Sequence, residues 1–299
     1  MSDSCSFLGK LRPLPVPSFF GNEKSQVPGN DLCMRPFGIL RNDLNIDFSQ
    51  ERPFLVTEIL QECVVASNGE KIDKSFFWNL ELGRRILYLC LIAMYSQQFQ
   101  HLIVTFRCLK CNEFLETQVT ADEIVELQRN VSNKELVAIL IEGKNISIRL
   151  PTGLDQLEWL KNIQNDSDNS SYDKVSKKIL STLIVDPIEA RLDNCGDSTS
   201  TRWLDAVGET MTGVDPLVNY TISVQCPSCK KETKYDVDLD EIAVRILQDI
   251  QKRLIEIIHR IALSYHWQEQ EIISLPPWRI AQYLAMIERD AERGKNWIE

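Results

Sequence analysis

Leu102-Ile-Val-Thr-Phe-Arg-Cys108-Leu-Lys-Cys111 and Tyr220-Thr-Ile-Ser-Val-Gln-Cys226-Pro-Ser-Cys229 are the stretches that decide the fold. The two Cys-x-x-Cys pairs lie 118 residues apart, 226 minus 108, in matching settings. Val104, Thr105 and Phe106 answer Ile222, Ser223 and Val224, and Val119 answers Val237. Asp122-Glu-Ile124 and Asp240-Glu-Ile242 then fall at the same offset without a gap. The repeat predicts two copies of one strand–turn–strand hairpin, near 101–120 and 218–238, that bring Cys108, Cys111, Cys226 and Cys229 to one metal ion. Zinc takes four thiolates in a tetrahedron, and the Cys-x-x-Cys spacing lets both sulfurs of a turn face one ion. A closed four-cysteine site leaves no open coordination position, so the expected metal is one structural Zn2+ per chain.

Two other readings of the pairs stand beside this one. A redox dithiol sits where a helix follows a strand, because the helix terminus lowers the thiol pKa. Here polar, strand-like sequence follows each pair instead. Pairs that bind nothing are the other reading.

Outward from the hairpins, the pattern is α+β and mainly helical, the two knuckles forming a split zinc ribbon. Residues 1–50 carry Pro13, Pro15, Pro17, Pro28 and Pro36 and lack periodicity, so they read as an extended or disordered arm before a domain over 51–299. From Pro53 to Gln100 the pattern is helical, with Asp73 capping a helix through Phe76, Phe77, Leu80, Leu82, Ile86, Leu87, Cys90 and Leu91. Helix is expected after Asp122, with a further piece over Leu136–Ile141, and again over Leu157–Ile163, Ile179–Val185 and Trp203–Met211; Asn145–Leu150 reads as strand. Thr152 or Asp155 is the expected cap of the 157–163 helix. Residues 164–176 and 193–201 read as mobile polar loops. Over 239–293 the steps Ile242, Ile246, Ile250, Leu254, Ile258, Ile261 and Tyr265, then Pro276-Pro277, predict a helical hairpin.

Composition narrows the function. The chain has 299 residues, 43% hydrophobic and 25% charged, the balance of an ordinary soluble protein. Its formal charge of −10 argues against nonspecific nucleic-acid binding, which needs clustered cations. On the hairpins Lys110, Lys230, Lys231 and Lys234 are interleaved with Glu113, Glu116, Glu232 and Asp236. No apolar run is long enough for a bilayer, and Met1–Phe20 reads as no secretion signal. Nine cysteines in such a chain point to a reducing cytoplasm, where paired cysteines are metal ligands more often than disulfides. Cys63 and Cys90 sit among apolar residues and read as core, while Cys5 and Cys195 lie in polar segments. His101, His259 and His266 form no catalytic pattern, and Gly9-Lys10 and Gly143-Lys144 lack the rest of a phosphate loop. The residues make no case for an enzyme.

The C-terminal third resembles the T-even-type phage baseplate family of contractile tails and injection systems. The residues that carry this are Ile257-Ile-His259-Arg-Ile-Ala-Leu-Ser-Tyr265-His-Trp267-Gln-Glu269, Ile272, Leu275-Pro276, Arg279 and Tyr283-Leu284, with Arg149-Leu-Pro-Thr-Gly-x-Asp155, Trp159 and Cys108-x-x-Cys111. The likeness spans roughly residues 100–290; the Pro-rich first fifty residues, the two polar loops and Ile261 depart from it. It implies a part in baseplate assembly, as a component or as a chaperone of one, with hub, spike or tube proteins as partners. A zinc-ribbon nucleic-acid or transcription-associated factor is the alternative.

Overall fold

A computed structural model of the chain describes residues 12–14, 32–130, 136–141, 144–165, 182–186 and 197–295. Its centre is helix α3 (Leu82–Gln97), which follows α1 (Arg52–Cys63) and α2 (Lys74–Asn79). Leu87, Tyr88, Leu89, Cys90, Leu91, Ile92, Ala93 and Met94 form an unbroken buried run in α3. A helix that is apolar on all sides must be covered on all sides. The long helix α7 (Leu239–Tyr265), α1 and α4 (Ala121–Asn130) provide that cover. Each fully buried aliphatic side chain contributes about 1.5–3 kcal/mol, so this helix anchors the fold. Cys63 and Cys90 are core, as read from their neighbours.

The expected helix from Asp73 to Leu91 is two helices. Asp73 does cap, accepting the Ser75 N–H at 2.8 Å. Leu80 and Glu81, however, are extended, with ψ of 141° and 148°. The segment before α5 (Gly153–Asn165) enters there: Leu82 donates to the Pro151 carbonyl at 2.9 Å and Gly153 to the Leu80 carbonyl at 3.2 Å. Periodicity cannot register a break made by a distant strand-like segment. Asp155 closes the start of α5 by accepting the Thr152 N–H at 2.7 Å and both Arg149 nitrogens at 2.6 Å.

The arm expected over residues 1–50 is corrected for the part described. Strands β1 (Arg12–Pro13), β2 (Leu32–Met34) and β3 (Val64–Ala66) form an antiparallel sheet, and Leu14, Leu32, Met34, Phe37 and Ile46 are core residues. Arg35 and Asp43, each with a side chain only 1% exposed, form a bidentate pair at 2.6 and 2.9 Å. The Asp43 carboxylate also accepts the N–H groups of Gly38, Ile39 and Leu40. Gln251 of α7 donates to the carbonyls of Asp43 and Ile46 at 2.9 Å. Gly38 has φ +84°, and a Cβ there would sit 2.7 Å from Ile250. The remainder of residues 1–31 lies outside the described residues.

A small sheet of β6 (Val137–Ile141), β7 (Lys144–Ile148) and β8 (Ile184–Asp186) replaces the helical piece expected over Leu136–Ile141; of the piece expected over Ile179–Val185, Thr182 and Leu183 are helical, Ile184 and Val185 are strand, and 179–181 lie outside the described residues. β-Branched residues at Val137, Ile139, Ile146, Ile148 and Ile184 suit a half-buried pleat better than a helix. Ile139, Ile146, Ile148 and Ile184 pack with Val207 of α6 (Asp197–Val214). Residues 197–201, expected as polar loop, open α6; 193–196 and 166–176 lie outside the described residues. Asp215 follows the last residue of α6, and its buried carboxylate accepts the Gly83 N–H at 3.1 Å, capping α3. A Cβ on Gly83 would lie 1.9 Å from that carboxylate. Gly83→Ala is therefore expected to cost about 1–3 kcal/mol through overpacking, read as a lower urea midpoint at unchanged m-value.

Helix α7 begins at an Asp238 cap and runs through Leu239, Ala243, Leu247, Gln251, Ile258 and Ile261 as its buried line. The expected helical hairpin follows as α8 (Glu269–Ile273) and α9 (Pro277–Lys295). Tyr265, Trp267 and Tyr283 fill its corner, with ring centroids 4.9–5.2 Å apart. Among the described residues no helix is long and apolar enough to cross a membrane.

Candidate metal centre

Each cysteine pair sits at the tip of a hairpin, and the two hairpins are copies at the level of hydrogen bonds. β4 (His101–Arg107) pairs with β5 (Phe114–Thr120), Arg107 opposite Phe114; β9 (Thr221–Gln225) pairs with β10 (Glu232–Asp236), Gln225 opposite Glu232. In the first tip the Cys108 N–H donates to the Glu113 carbonyl and the Asn112 N–H to the Cys108 carbonyl, both at 2.8 Å. In the second, Cys226 donates to Lys231 and Lys230 to Cys226, both at 2.9 Å. Asn112 and Lys230, one residue past the second cysteine of each pair, both take the left-handed region with φ 59°. That residue reverses the chain so that both sulfurs of a tip lie on one side.

The likeness continues past the strands. Thr120 accepts the Glu123 N–H at 3.2 Å and Glu123 returns the bond to the Thr120 N–H at 3.1 Å, which starts α4. Asp238, in the same place of the second copy, accepts the Glu241 N–H at 3.1 Å and starts α7. The Asp-Glu-Ile match in sequence thus marks the same helix entrance twice.

The tips face one another. The Cys108 and Cys229 sulfurs are 3.6 Å apart and those of Cys111 and Cys226 are 3.5 Å apart. All four sulfurs lie within 4.8 Å of each other. The edge of a zinc–thiolate tetrahedron with bonds of about 2.3 Å is about 3.8 Å, whereas a disulfide needs sulfurs about 2.05 Å apart. The four cysteines are free thiols set at metal-ligand spacing. Beneath them Phe106 and Tyr235 stack with centroids 4.5 Å apart, beside Leu115 and Val224. Tyr235 donates to the Arg107 carbonyl and Ser228 to the Glu113 carboxylate, each at 3.3 Å, so both bonds cross between hairpins. Cys108 and Cys226 are 3% and 0% exposed; Cys111 lies at the surface.

Backbone N–H groups of Cys111 and Lys110 draw the Cys108 thiol down to about 6. The Glu113 N–H pulls Cys111 the same way, but burial and the sulfurs of Cys226, Cys108 and Cys229 outweigh it and push Cys111 up to about 12. Within the first tip the two thiols are thus driven apart, Cys108 toward its thiolate and Cys111 away from it. Tetrahedral sulfur donors suit zinc or iron. The residues present fit such an ion.

No other grouping of His, Cys, Asp and Glu among the described residues has ligand spacing. His101 stacks on Phe99 at 5.6 Å, His259 is exposed on α7, and His266 ends α7 with φ 58°. A cavity of about 570 Å³ lies between α1, α3 and the start of α7, lined by Arg52, Arg85, Asp238 and Asp240 among others. Arg52, Arg85, Asp238 and Asp240 are engaged with one another or with the fold. Arg52 reaches Asp238 at 2.7 Å and Glu241 at 2.6 Å, while Arg85 donates to the Phe77 and Pro53 carbonyls and to Thr57. Sequence reading missed the Phe106–Tyr235 stack and the left-handed residues; the equal spacing of Asn112 and Lys230 from the cysteines was their only trace.

Compared with known proteins, the chain matches no family model, no curated protein and no solved structure.

Proposed function

We propose that the four cysteines bind one structural Zn2+, making the two knuckles a split zinc ribbon, and that the chain is a non-enzymatic assembly protein. The convergence of two distant Cys-x-x-Cys tips on one closed four-sulfur centre carries this reading. Four protein thiolates fill the coordination sphere and leave no place for a substrate. The ion then joins two halves of one scaffold, and function falls to exposed surface.

The C-terminal hairpin is that surface. Its aromatic corner is satisfied internally, yet Leu263, Trp278 and Met286 remain exposed, Trp278 at 61%. Exposed large apolar groups on a finished core fit a protein–protein contact. Together with the sequence resemblance, this supports a role in the baseplate of a contractile injection particle, in contact with hub, spike or tube proteins. The nucleic-acid alternative is weaker, because Phe106 and Tyr235 stack on each other rather than standing free for bases.

Affinity capture of the metal-loaded chain against purified hub, spike and tube proteins is the test. Binding to at least one, weakened by Trp278→Ala, is expected; binding to none refutes the baseplate role. A mobility shift of DNA or RNA at low salt, lost at high salt, would favour the alternative.

A further inference from the structure

We propose that the four-sulfur centre is an oxidation site for a small hydroperoxide, at which the metal leaves and the disulfides Cys111–Cys226 and Cys108–Cys229 join the hairpins in its place. This rests on the zinc reading and is independent of the baseplate role. The four sulfurs differ in access. Cys111 is exposed and Cys229 half-buried, whereas Cys108 is 3% and Cys226 0% exposed. Bound to a divalent cation, every one of them is a thiolate, so access ranks them and acidity does not. A cysteine that responds to oxidants is a thiolate open to solvent, with a second sulfur beside it to resolve the product. The contacts across the centre supply that second sulfur. Cys111 lies 3.5 Å from Cys226, and Cys229 lies 3.6 Å from Cys108. Each contact pairs a more accessible sulfur on one hairpin with a buried sulfur on the other.

The chemistry runs in two equal rounds. The Cys111 thiolate attacks one oxygen of the peroxide; the O–O bond breaks, hydroxide leaves and takes a proton to become water, and Cys111 carries a sulfenic acid. The Cys226 thiolate then attacks the Cys111 sulfur; the S–S bond forms, the S–O bond breaks, and hydroxide again leaves as water. The two sulfurs give up two electrons and the peroxide accepts them. Cys229 and Cys108 repeat the round with a second peroxide. In each pair the sulfurs approach by about 1.5 Å to reach the bonded distance of about 2.05 Å. The first disulfide forms while the remaining two sulfurs still hold the ion. Below it, the Phe106–Tyr235 stack at 4.5 Å and the Tyr235 bond to the Arg107 carbonyl at 3.3 Å keep the tips opposed. A disulfide offers no thiolate, and the thiolate is the metal ligand. The ion therefore departs as Zn2+, which has no redox chemistry of its own. A dissolved oxidant thus frees the metal without freeing the hairpins from each other.

The test uses the full-length, zinc-loaded chain with Cys5→Ser and Cys195→Ser, which removes two cysteines that lie outside the described residues. Zinc is measured first by elemental analysis. Hydrogen peroxide is then added in small excess, zinc release is followed with a chromogenic chelator, and the product is cut with trypsin without reduction. Cleavage after Arg107, Lys110, Arg129, Arg202 and Lys230 puts Cys108, Cys111 and the Cys226–Cys229 pair in three separate peptides. One zinc should be released for every two disulfides formed. Cys108–Lys110 and Cys111–Arg129 should each be linked to Trp203–Lys230, with fragment ions pairing Cys108 to Cys229 and Cys111 to Cys226. At low peroxide with dimedone present, the first sulfenic acid trapped among the four should be that of Cys111. A link between Cys108–Lys110 and Cys111–Arg129, the reversed pairing, a first adduct on another of the four, or zinc retained after peroxide would each overturn the proposal while leaving the zinc reading intact. A chain that carries no zinc before peroxide refutes the zinc reading, and the proposal with it.

Discussion

Removing the metal, or replacing Cys226 with Ser, is expected to abolish the cooperative fold of the knuckle half of the molecule. Structural zinc in small four-ligand sites contributes on the order of 10 kcal/mol or more, and whole domains are stable by about 5–15 kcal/mol. Losing the ion therefore consumes most or all of the margin. Cys226 is expected to be the most sensitive position, because it is fully buried and a serine hydroxyl there would be left without water or metal. A bound ion would also hold in place the Phe106–Tyr235 stack and the two bonds that cross between the hairpins. Elemental analysis should find one zinc per chain in the wild type and none in Cys226→Ser. Circular dichroism should show a melting midpoint lowered by tens of degrees, or no transition. Metal-free protein that melts like the wild type would contradict the structural role. Cys111→Ser, at the surface, should be milder.

The second large effect belongs to the Arg35–Asp43 pair. Asp43→Ala should cost about 3–5 kcal/mol, since a buried guanidinium loses its bidentate partner and keeps only the more distant Glu62 carboxylate at 3.9 Å. The N–H groups of Gly38, Ile39 and Leu40 lose their acceptor at the same time, each a further loss of about 1 kcal/mol. Arg35→Met should cost less, because Asp43 keeps those three donors and the methionine fills the space with apolar atoms. Urea denaturation of the two variants reads the difference directly. Equal losses would show that the ion pair alone, and not the turn it organises, holds residues 35–46 in place.

The cap on α3 imposes a pH dependence. Burial pushes the Asp215 carboxyl up to about 6, against the opposing pull of the Gly83 N–H. A folded-state pKa above the unfolded value means the fold prefers the protonated acid. That contribution is complete below about pH 4, the unfolded range of an aspartate, and is lost as pH rises through about 6. Asp215→Asn should flatten this part of the stability profile, so its stability relative to wild type should improve between pH 4 and pH 8. Parallel pH profiles for the two proteins would remove Asp215 as the cause.

What the sequence disclosed was local or repeated. The cysteine tips, the strands beside them and the two capped helix starts are each written within about ten consecutive residues, and the 118-residue repeat displays them twice. The C-terminal hairpin was legible because Ile258, Ile261 and Tyr265 keep helical spacing and Pro276-Pro277 marks the corner. What stayed hidden depends on partners remote in the chain. Leu32, Met34 and Phe37 follow no period, and partners later in the chain make them core, β3 pairing with β2 and Ser96 of α3 accepting the Phe37 N–H at 2.8 Å. The break at Leu80–Glu81 is imposed by Pro151–Gly153. Over Leu136–Ile141 apolar residues are continuous, and a short apolar run does not distinguish strand from helix.

The separation of the two cysteine tips also sets a timetable. A ribosome adding about 5–20 residues per second needs on the order of ten seconds to pass from Cys111 to Cys226. Throughout that interval the nascent chain holds two thiols that cannot complete a tetrahedron, and α3 emerges long before α7, which must cover it. Under the zinc proposal the ion would be a late guest: it would seal the scaffold only once residues 226–229 have followed 108–111 out of the ribosome, and it would report that both tips are present.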